Sequence, residues 1–362
     1  MLVITPDFPP AKGGIQILSH RIASSFETLK PTVVTLGHPD AVTFDQGQTL
    51  KIVRTRRRRG TRAFTVLGLN AEAVNVALHE RPDVVLSAHI VVSPAAALLR
   101  HHLGIPFVQY VDAKEIGAKP QLAHFAMTRA DRIVAISRYA QDLAMAAGAS
   151  AHRVVLIHPG VDVPAAARME RWQGGPPTVL TISRLEDRYK GHDVMLRALP
   201  IVRAAVPDTR WRVIGDGSLR PDLENRVRAM GLGDAVQFLG SVSDEARDEE
   251  LDRAGAFCMV SRLPAGGLAG EGFGIVYLEA SAHGLPVVAG AVGGATDAVV
   301  HGKTGLLVDP EDHRAVADAL VALLSDRELA ARLARGGRAR AERLTWEAAG
   351  ASVEAELLGL IG

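Results

Sequence analysis

Two glutamates, eight positions apart, carry the clearest chemical signal in this sequence. Glu271 and Glu279 lie in the stretch Glu-Gly-Phe-Gly-Ile-Val-Tyr-Leu-Glu-Ala, where a glycine-rich loop gives way to an apolar run. Residues Ile275–Ala282 predict a short buried helix, whose first backbone N–H groups lack partners and attract anions. Glu279 would lie inside that helix, where a carboxylate is costly unless hydroxyls donate hydrogen bonds to it. The stretch predicts a site for a sugar, a phosphate and a ribose; an ordinary helix with a solvated Glu279 is the alternative.

A basic loop could supply the positive charge that such a site needs. Arg184 and Lys190 lie in residues 183–191, directly after a predicted strand. Arginine can hold a phosphate through two parallel N–H bonds, and lysine adds a compact positive charge. Together they could stabilise the negative charge that develops on a diphosphate leaving group. The alternative is a basic loop that binds no ligand.

These residues need a rigid frame, and the sequence predicts an α/β fold for it. Apolar runs alternate with helical patterns, which indicates parallel sheets covered on both faces, with active residues beyond the carboxyl ends of the strands. Predicted strands in the first half are 2–5, 32–36, 84–87, 106–110, 132–136 and 154–157. After a predicted linker at 165–177, strands follow at 178–182, 210–215, 236–239, 256–260 and 285–289. The sequence therefore predicts two Rossmann-like domains, 1–162 and 163–345, facing each other across a cleft.

Both ends of the chain contribute to this prediction. Gly13 and Gly14 separate the first strand from a helical segment, an arrangement that lets backbone approach a phosphate but also suits a plain turn. Residues 315–362 predict helices throughout, with breaks near Gly336 and Gly337 and near 344–346.

Composition narrows the functional class. Of 362 residues, 48% are hydrophobic and 22% charged, which is ordinary for a soluble enzyme. The single cysteine, Cys258, excludes an internal disulfide and lies in an apolar run that predicts core packing. No secretory signal, membrane-spanning stretch or metal-ligand cluster is recognisable, so a cytoplasmic protein is predicted, one that could contact the inner face of the membrane.

The charges are unevenly distributed. Residues 1–162 carry 18 Lys and Arg against 12 Asp and Glu, whereas the remainder carries 23 against 28. The excess is concentrated in a tract between Arg54 and Arg62, which could face an anionic membrane surface or simply be a solvated loop. Because no aromatic residues are interleaved to stack bases, nucleic acid is not an expected partner.

Several motifs together resemble one enzyme family. The two glutamates, the Arg184 and Lys190 pair, and Pro-x-x-Gly-Gly-Ile-Gln after the first strand resemble the retaining, nucleotide-sugar-dependent glycosyltransferases of family four, which have the GT-B fold. The likeness is strongest to the actinobacterial enzymes that mannosylate phosphatidylinositol mannosides, through residues 7–16 and 188–193. It implies transfer of a hexose from GDP-mannose or a UDP-hexose to a hydroxyl of a lipid, cyclitol or secondary metabolite.

The resemblance also implies a role for individual residues. Glu271 would bind hydroxyls of the donor sugar, and Glu279 the ribose hydroxyls. Arg184 and Lys190 would hold the diphosphate and, with Glu271, act in catalysis. The other implied donor contacts are Phe273, Gly274 and Ile275 at the sugar and phosphate, Gly13 and Gly14 at the phosphate, and Ser241 and Val242 at the base. Implied acceptor contacts are Asp7, Gln16 and Asp112. No metal or cofactor is implied, and a C-terminal helix, 346–362, would cross back onto the first domain.

One position departs from the family pattern. After the strand at 106–110, family members usually place a histidine that contacts the transferred sugar, whereas this chain has Asp112. An aspartate accepts hydrogen bonds but cannot act as a neutral imidazole does. We expect Asp112 to bind a donor or acceptor hydroxyl and to take part in catalysis; the alternative is a strand-end aspartate that caps the next turn.

Three other functional classes stay open on the sequence alone. A nucleotide-sugar epimerase or hydrolase could use the same fold and would act without an acceptor. A non-enzymatic protein that binds anionic surfaces could be organised by the arginine tract. A nicotinamide dehydrogenase is disfavoured, because Gly215-Asp216-Gly217 lacks the rest of the dinucleotide fingerprint.

Overall fold

The computed structural model describes residues 1–55, 62–165, 175–264 and 270–362. The chain divides into two compact units. Unit 1 comprises Met1–Gly160 and Trp346–Gly362, and unit 2 comprises Val161–Thr345. The predicted linker lies mostly outside the described residues, as does most of the arginine tract. In the described part of the chain, no helix combines the length and apolar character needed to cross a membrane.

Unit 1 is built on a seven-stranded parallel sheet with the order β3-β2-β1-β4-β5-β6-β7. Its strands are β1 (Leu2–Ile4), β2 (Thr32–Leu36), β3 (Lys51–Thr55), β4 (Val85–Ser87), β5 (Phe107–Val111), β6 (Arg132–Ala135) and β7 (Val154–Leu156). Its first helices are α1 (Gly14–Ser24), α2 (Ala41–Gln46), α3 (Arg62–Glu80), α4 (Ser93–Leu103), α5 (Ala113–Ala118), α6 (Pro120–Arg129) and α7 (Arg138–Ala146). The strand order reverses between β1 and β4.

Unit 2 contains a six-stranded parallel sheet with the order β10-β9-β8-β11-β12-β13. Its strands are β8 (Thr178–Ile182), β9 (Arg210–Ile214), β10 (Val236–Gly240), β11 (Ala256–Met259), β12 (Val287–Gly290) and β13 (Leu306–Val308). Its helices are α8 (His192–Ala205), α9 (Arg220–Ala229), α10 (Asp244–Arg253), α11 (Ile275–Ala282), α12 (Ala295–Ala298), α13 (His313–Ser325) and α14 (Arg327–Ala341). Here the order reverses between β8 and β11.

Both sheets are buried on both faces, which explains why their strands are apolar at consecutive positions. Every residue of β1 and of β11 is buried. Cys258 lies in β11 with a free, buried thiol, so its predicted place in the core is confirmed. The α/β prediction with parallel sheets is also confirmed.

The last helix, α15 (Trp346–Leu358), packs in unit 1 against α1. Gly350 faces Ser25 so closely that a Cβ at position 350 would lie 2.3 Å from the Ser25 Cβ. The carboxylate of Glu354, only 5% exposed, accepts the backbone N–H groups of residues 27, 28 and 29 at 3.1, 2.8 and 2.6 Å. One side chain therefore joins α15 to the loop that follows α1.

Two local predictions are wrong. Helix α14 runs without a break through Gly336 and Gly337. The two glycines serve instead to let neighbouring elements pack closely against the helix. A Cβ at Gly336 would lie 2.0 Å from the Lys303 carbonyl oxygen, and one at Gly337 would lie 3.0 Å from Ser281 Oγ of α11. Arg54 was assigned to a loop tract, but it belongs to the edge strand β3.

Candidate active site

The point where the strand order of unit 2 reverses brings together the residues with the clearest chemistry. Ligands of open α/β sheets bind beyond the carboxyl ends of the strands at such a point. The loop that follows β8 carries Lys190 in a short 3-10 turn, Arg188–Lys190. Ser261 and Glu271 follow β11, the neighbouring strand. Backbone of the two loops is joined where the Arg262 N–H donates to the Tyr189 carbonyl at 2.8 Å.

Lys190 and Glu271 form an ion pair at the centre of this site. The Lys190 ammonium donates to Glu271 Oε2 at 2.5 Å, and each side chain is only 12% exposed. Ser261 Oγ donates to the same carboxylate oxygen at 3.2 Å. The ammonium nitrogen also lies 5.2 Å from the ring centroid of Tyr189, within cation–π range. Burial lowers the pKa of Lys190, but the charge and hydrogen bond of Glu271, together with the nearby Tyr189 and Asp187, outweigh burial, so the pKa is raised overall. The lysine therefore remains charged at neutral pH.

Helix α11 begins beside this pair, and it begins where the sequence predicted. Gly274 precedes it with φ of +87°, a left-handed conformation that favours glycine. A Cβ at Gly274 would also lie 2.4 Å from the Tyr277 ring. Phe273 is buried, whereas Ile275 at the helix start is half-buried. The first N–H groups of α11 thus follow Glu271 by a few residues in a sharply turned backbone.

Glu279 lies one turn further along α11, on the half-buried face that it shares with Ile275. Arg247 of α10 lies nearby, with 3.9 Å between its Nη1 and Glu279 Oε1. Burial raises the pKa of Glu279, and the positive charge of Arg247 counteracts this only in part. The charge of the Glu279 carboxylate is thus only partly compensated by Arg247 at 3.9 Å, and its oxygens can accept hydrogen bonds from a ligand.

Three further predicted donor residues, Arg184, Ser241 and Val242, make no hydrogen bond to this pair in the described part of unit 2. The Arg184 guanidinium is 60% exposed and donates to Asp187 at 3.0 Å. Ser241 and Val242 follow β10, the terminal strand, and are exposed and half-buried. Arg184 shares the loop of Lys190 but points to another partner.

Unit 1 gathers a second group where its own strand order reverses. Asp7 follows β1, and the Gln16 amide of α1 donates to Asp7 Oδ1 at 2.8 Å. Gly13 precedes α1 with φ of +151°, and Gly14 is exposed as the first residue of the helix. The structure therefore brings the predicted acceptor residues Asp7 and Gln16 into contact.

Asp112 caps α5, so the simpler of its two predicted roles is observed. Asp112 Oδ1 accepts the Glu115 N–H at 3.1 Å, and Glu115 Oε1 accepts the Asp112 N–H at 3.1 Å. Burial is the main reason why the pKa of Asp112 is raised to about 6, and the charge of Glu115 adds to it. Binding of a ligand hydroxyl by Asp112 stays a prediction.

The hypothesis that the arginine tract faces a membrane surface is wrong for Arg54. Its side chain is only 10% exposed, and its guanidinium makes two hydrogen bonds of 2.8 Å to Asp45. It also donates to the carbonyl oxygens of Leu36 at 3.0 Å and Pro9 at 2.6 Å. Arg54 thus holds the loop after β1 in place. Residues 56–61 lie outside the described residues.

Comparisons with known proteins agree with this arrangement. A family model described as Glycosyltransferase Family 4 matches residues 12–164, and one described as Glycosyl transferases group 1 matches residues 163–340. A GDP-mannose-dependent alpha-(1-6)-phosphatidylinositol monomannoside mannosyltransferase of Mycolicibacterium smegmatis is 33% identical over 377 residues, covering 99% of this chain and 98% of the relative. The chain belongs to glycosyltransferase family four.

A further relative and two solved structures agree with the family and the fold of this glycosyltransferase. The D-inositol 3-phosphate glycosyltransferase of a Nocardioides species is 33% identical over 316 residues, covering 77% of this chain and 67% of the relative. The crystal structure of Anabaena Alr3699/HepE in complex with UDP and glucose has a TM-score of 0.81 at 19% identity and covers 99% of this chain and 100% of that one. Sucrose-phosphate synthase of Thermosynechococcus elongatus has a TM-score of 0.82 at 20% identity, covering 99% and 98%. The predicted GT-B fold is confirmed.

Three residues of the glycosyltransferase were missed in the sequence. Ser261 and His89 each follow a predicted strand by one or two residues, which was an available signal in a parallel sheet. Arg247 lies in α10, and nothing in its local sequence pattern indicates that it faces Glu279. Among the described residues, no group of three or more His, Cys, Asp or Glu side chains is placed to hold a metal ion.

Proposed function

We propose that this glycosyltransferase moves a hexose from a nucleoside diphosphate to a hydroxyl group with retention of the anomeric configuration. The observation that carries the proposal is the Lys190–Glu271 pair of unit 2, next to the start of α11. A carboxylate that accepts sugar hydroxyls, a lysine and the N–H groups at the start of a helix match the parts of a nucleotide sugar. We propose that the enzyme needs no metal, since Lys190 and Arg184 would supply the positive charge.

Each proposed contact follows from the chemistry of its side chain. Glu271 would accept hydrogen bonds from hydroxyls of the hexose. An ammonium group has three N–H donors, so Lys190 can keep Glu271 and still contact the diphosphate. Glu279 would accept the ribose hydroxyls, since Arg247 balances its charge only from 3.9 Å. Further proposed donor contacts are the backbone of Phe273, Gly274 and Ile275, together with Gly13, Gly14, Arg184, Ser241 and Val242.

The proposed reaction exchanges one bond at the anomeric carbon for another on the same face. The bond from this carbon to the leaving phosphate oxygen breaks, and the electron pair stays with the diphosphate. The acceptor oxygen then bonds to the same carbon, and its proton passes to the leaving phosphate oxygen. Lys190 would stabilise the diphosphate charge as it develops, which is a major contribution in such transfers.

Two similar enzymes support a choice of donor and acceptor for this chain. The Mycolicibacterium relative uses GDP-mannose and acts on phosphatidylinositol monomannoside, and the Nocardioides relative acts on D-inositol 3-phosphate. We therefore propose GDP-mannose as donor and a lipid or cyclitol hydroxyl as acceptor, with Asp7, Gln16 and Asp112 as acceptor contacts. The enzyme would work in the cytoplasm with peripheral contact to the inner face of the membrane.

A transfer assay tests the proposal. The protein is incubated with GDP-mannose or UDP-glucose and with phosphatidylinositol monomannoside or myo-inositol, with and without EDTA. We expect product from GDP-mannose, unaffected by EDTA, with NMR showing the anomeric configuration of the donor. An inverted product or a requirement for metal would refute the corresponding part. A donor-only incubation identifies the alternative class, because a hydrolase or epimerase would release mannose or an isomer without acceptor.

A further inference from the structure

A histidine lies at the central carboxyl edge of the unit 1 sheet. His89 follows β4, between the ends of the neighbouring strands β1 and β5, which lead to Asp7 and Asp112. Its side chain is 16% exposed. The position before α5 that the family usually gives to a histidine is Asp112 here, so an imidazole reaches this edge from the adjacent strand instead.

One nitrogen of His89 is committed to the protein, and the other is left for a ligand. Nδ1 lies 2.9 Å from Glu115 Oε2, which also accepts the Ile90 N–H at 2.7 Å. The Val91 backbone N–H also donates to Nδ1 at 3.1 Å, so both contacts of this nitrogen lie within the protein, whichever ring nitrogen carries the proton. In the described part of the chain no hydrogen bond reaches Nε2. This ring nitrogen is therefore held in a fixed direction without a partner.

A second polar atom at this edge lacks a partner. The Tyr110 hydroxyl is the only buried side-chain nitrogen or oxygen atom without a hydrogen bond among the described residues. Tyr110 is 4% exposed, and it precedes Asp112 by two positions on the same strand end. Burial, followed by the negative charge of Asp112, raises its pKa, so the hydroxyl keeps its proton near that carboxylate. An unsatisfied buried hydroxyl is unfavourable in the free protein, and a ligand oxygen would relieve this.

The charges around His89 indicate which ligand fits. The carboxylates of Glu115, Asp7 and Asp112 all act on His89, and together they raise its pKa to about 8 although burial alone would lower it. Three acidic groups around one imidazole repel a phosphate. They favour a neutral ring with several hydroxyls, since each hydroxyl both donates to carboxylates and accepts from N–H or O–H groups.

We propose that His89 Nε2 and the Tyr110 hydroxyl, with Asp112, form a subsite for hydroxyl groups of an uncharged sugar or cyclitol ring. This inference rests on the proposed function, because it names the part of the acceptor or transferred sugar that unit 1 recognises. His89 and Tyr110 are then specificity residues, and any phosphate of the substrate lies away from them.

Binding of a simple polyol tests the subsite without any need for turnover. The full-length protein is labelled with ¹⁵N-histidine, and His89 is assigned from the signal that disappears in His89→Gln. We expect myo-inositol at millimolar concentration to shift the His89 Nε2 signal and inorganic phosphate not to shift it. His102→Gln, a change at an exposed residue of α4, is the matched control and should leave the shift unchanged.

The Tyr110→Phe variant gives the second readout. Because its hydroxyl has no partner in the free protein, removal should leave the unfolding midpoint unchanged or raise it. The apparent Kd for myo-inositol should increase about five-fold, the value of one lost hydrogen bond. The inference is overturned if myo-inositol leaves the His89 signal unchanged, if phosphate shifts it instead, or if Tyr110→Phe binds inositol normally. Thermal shift with GDP tests unit 2 separately, so absent nucleotide binding would count against the proposed function and not against this subsite.

Discussion

The Lys190–Glu271 pair allows a quantitative test by a double-mutant cycle. The changes are Lys190→Met, Glu271→Gln and both together. The pair is nearly buried, at 12% exposure for each side chain, so removal of one partner leaves a charge with little access to water. Breaking buried pairs costs about 3–5 kcal/mol, and the residual exposure favours the lower end.

Each variant has its own expected free-energy change. Lys190→Met leaves the Glu271 carboxylate with the Ser261 hydroxyl, which predicts a loss of about 3 kcal/mol in unfolding free energy. Glu271→Gln keeps an amide oxygen for the ammonium, so a smaller loss of about 2 kcal/mol is expected. The double variant removes both charges and should lose about 3 kcal/mol, which corresponds to a coupling energy of about 2 kcal/mol. Its transferase activity should stay lost, because Lys190 is proposed to contact the diphosphate.

Urea unfolding of the four proteins, followed by circular dichroism, provides the measurement. Arg253 and Glu249 of α10 are the matched control, since they form an ion pair of 3.1 Å with side chains that are 66% and 62% exposed. Their own cycle should give a coupling energy below about 0.5 kcal/mol. If the Lys190 and Glu271 changes were additive within about 0.5 kcal/mol, the reasoning that the pair is a coupled, water-poor unit would be wrong.

Three further predictions follow from single contacts. Glu354→Ala removes three hydrogen bonds to backbone N–H groups and should lower the unfolding free energy by about 2 kcal/mol at pH 7. Burial alone would raise the pKa of Glu354, but the three N–H groups and the charge of Lys30 together outweigh burial and lower it, so the stabilisation is present above the pKa of the unfolded chain and is lost as the pH falls. The difference in unfolding free energy between wild type and variant that is seen at pH 7 should therefore disappear at pH 3. The stabilisation that His89 gains from Glu115, Asp7 and Asp112 should be complete below about pH 6.5 and should disappear as the pH rises through about 8. In thermal unfolding, the midpoint of His89→Gln should therefore depend less on pH over this range than that of the wild type. Gly274→Ala meets both a φ of +87° and a Cβ contact of 2.4 Å with the Tyr277 ring, so a loss of about 2 kcal/mol and of donor binding is expected, whereas an equally stable variant in urea unfolding would contradict the proposed need for glycine.

Much of the fold could be predicted because the relevant signals are local. Alternating apolar and helical segments indicated parallel sheets, and the bounds of β2, β8 and α11 agree with the predicted ranges. Strand β3 was missed because it is a half-exposed edge strand, so its arginine and lysine obscure the apolar pattern that buried strands show. Gly336 and Gly337 suggested a helix break because glycine has a low helix propensity. The local sequence does not show that these glycines are required for close packing against Lys303 and Ser281.

The sequence by itself determined which residue types were available for donor chemistry, since Glu271, Glu279, Arg184 and Lys190 stand out by type and position. Only the tertiary structure decided which of them meet. Lys190 contacts Glu271 across 81 positions, whereas Arg184 of the same loop turns to Asp187. It also decided that Glu354 meets a loop 326 positions away and that His89 contacts Glu115. Such pairs depend on the order of strands in a sheet, and strand order is set by packing of the whole unit rather than by any local pattern.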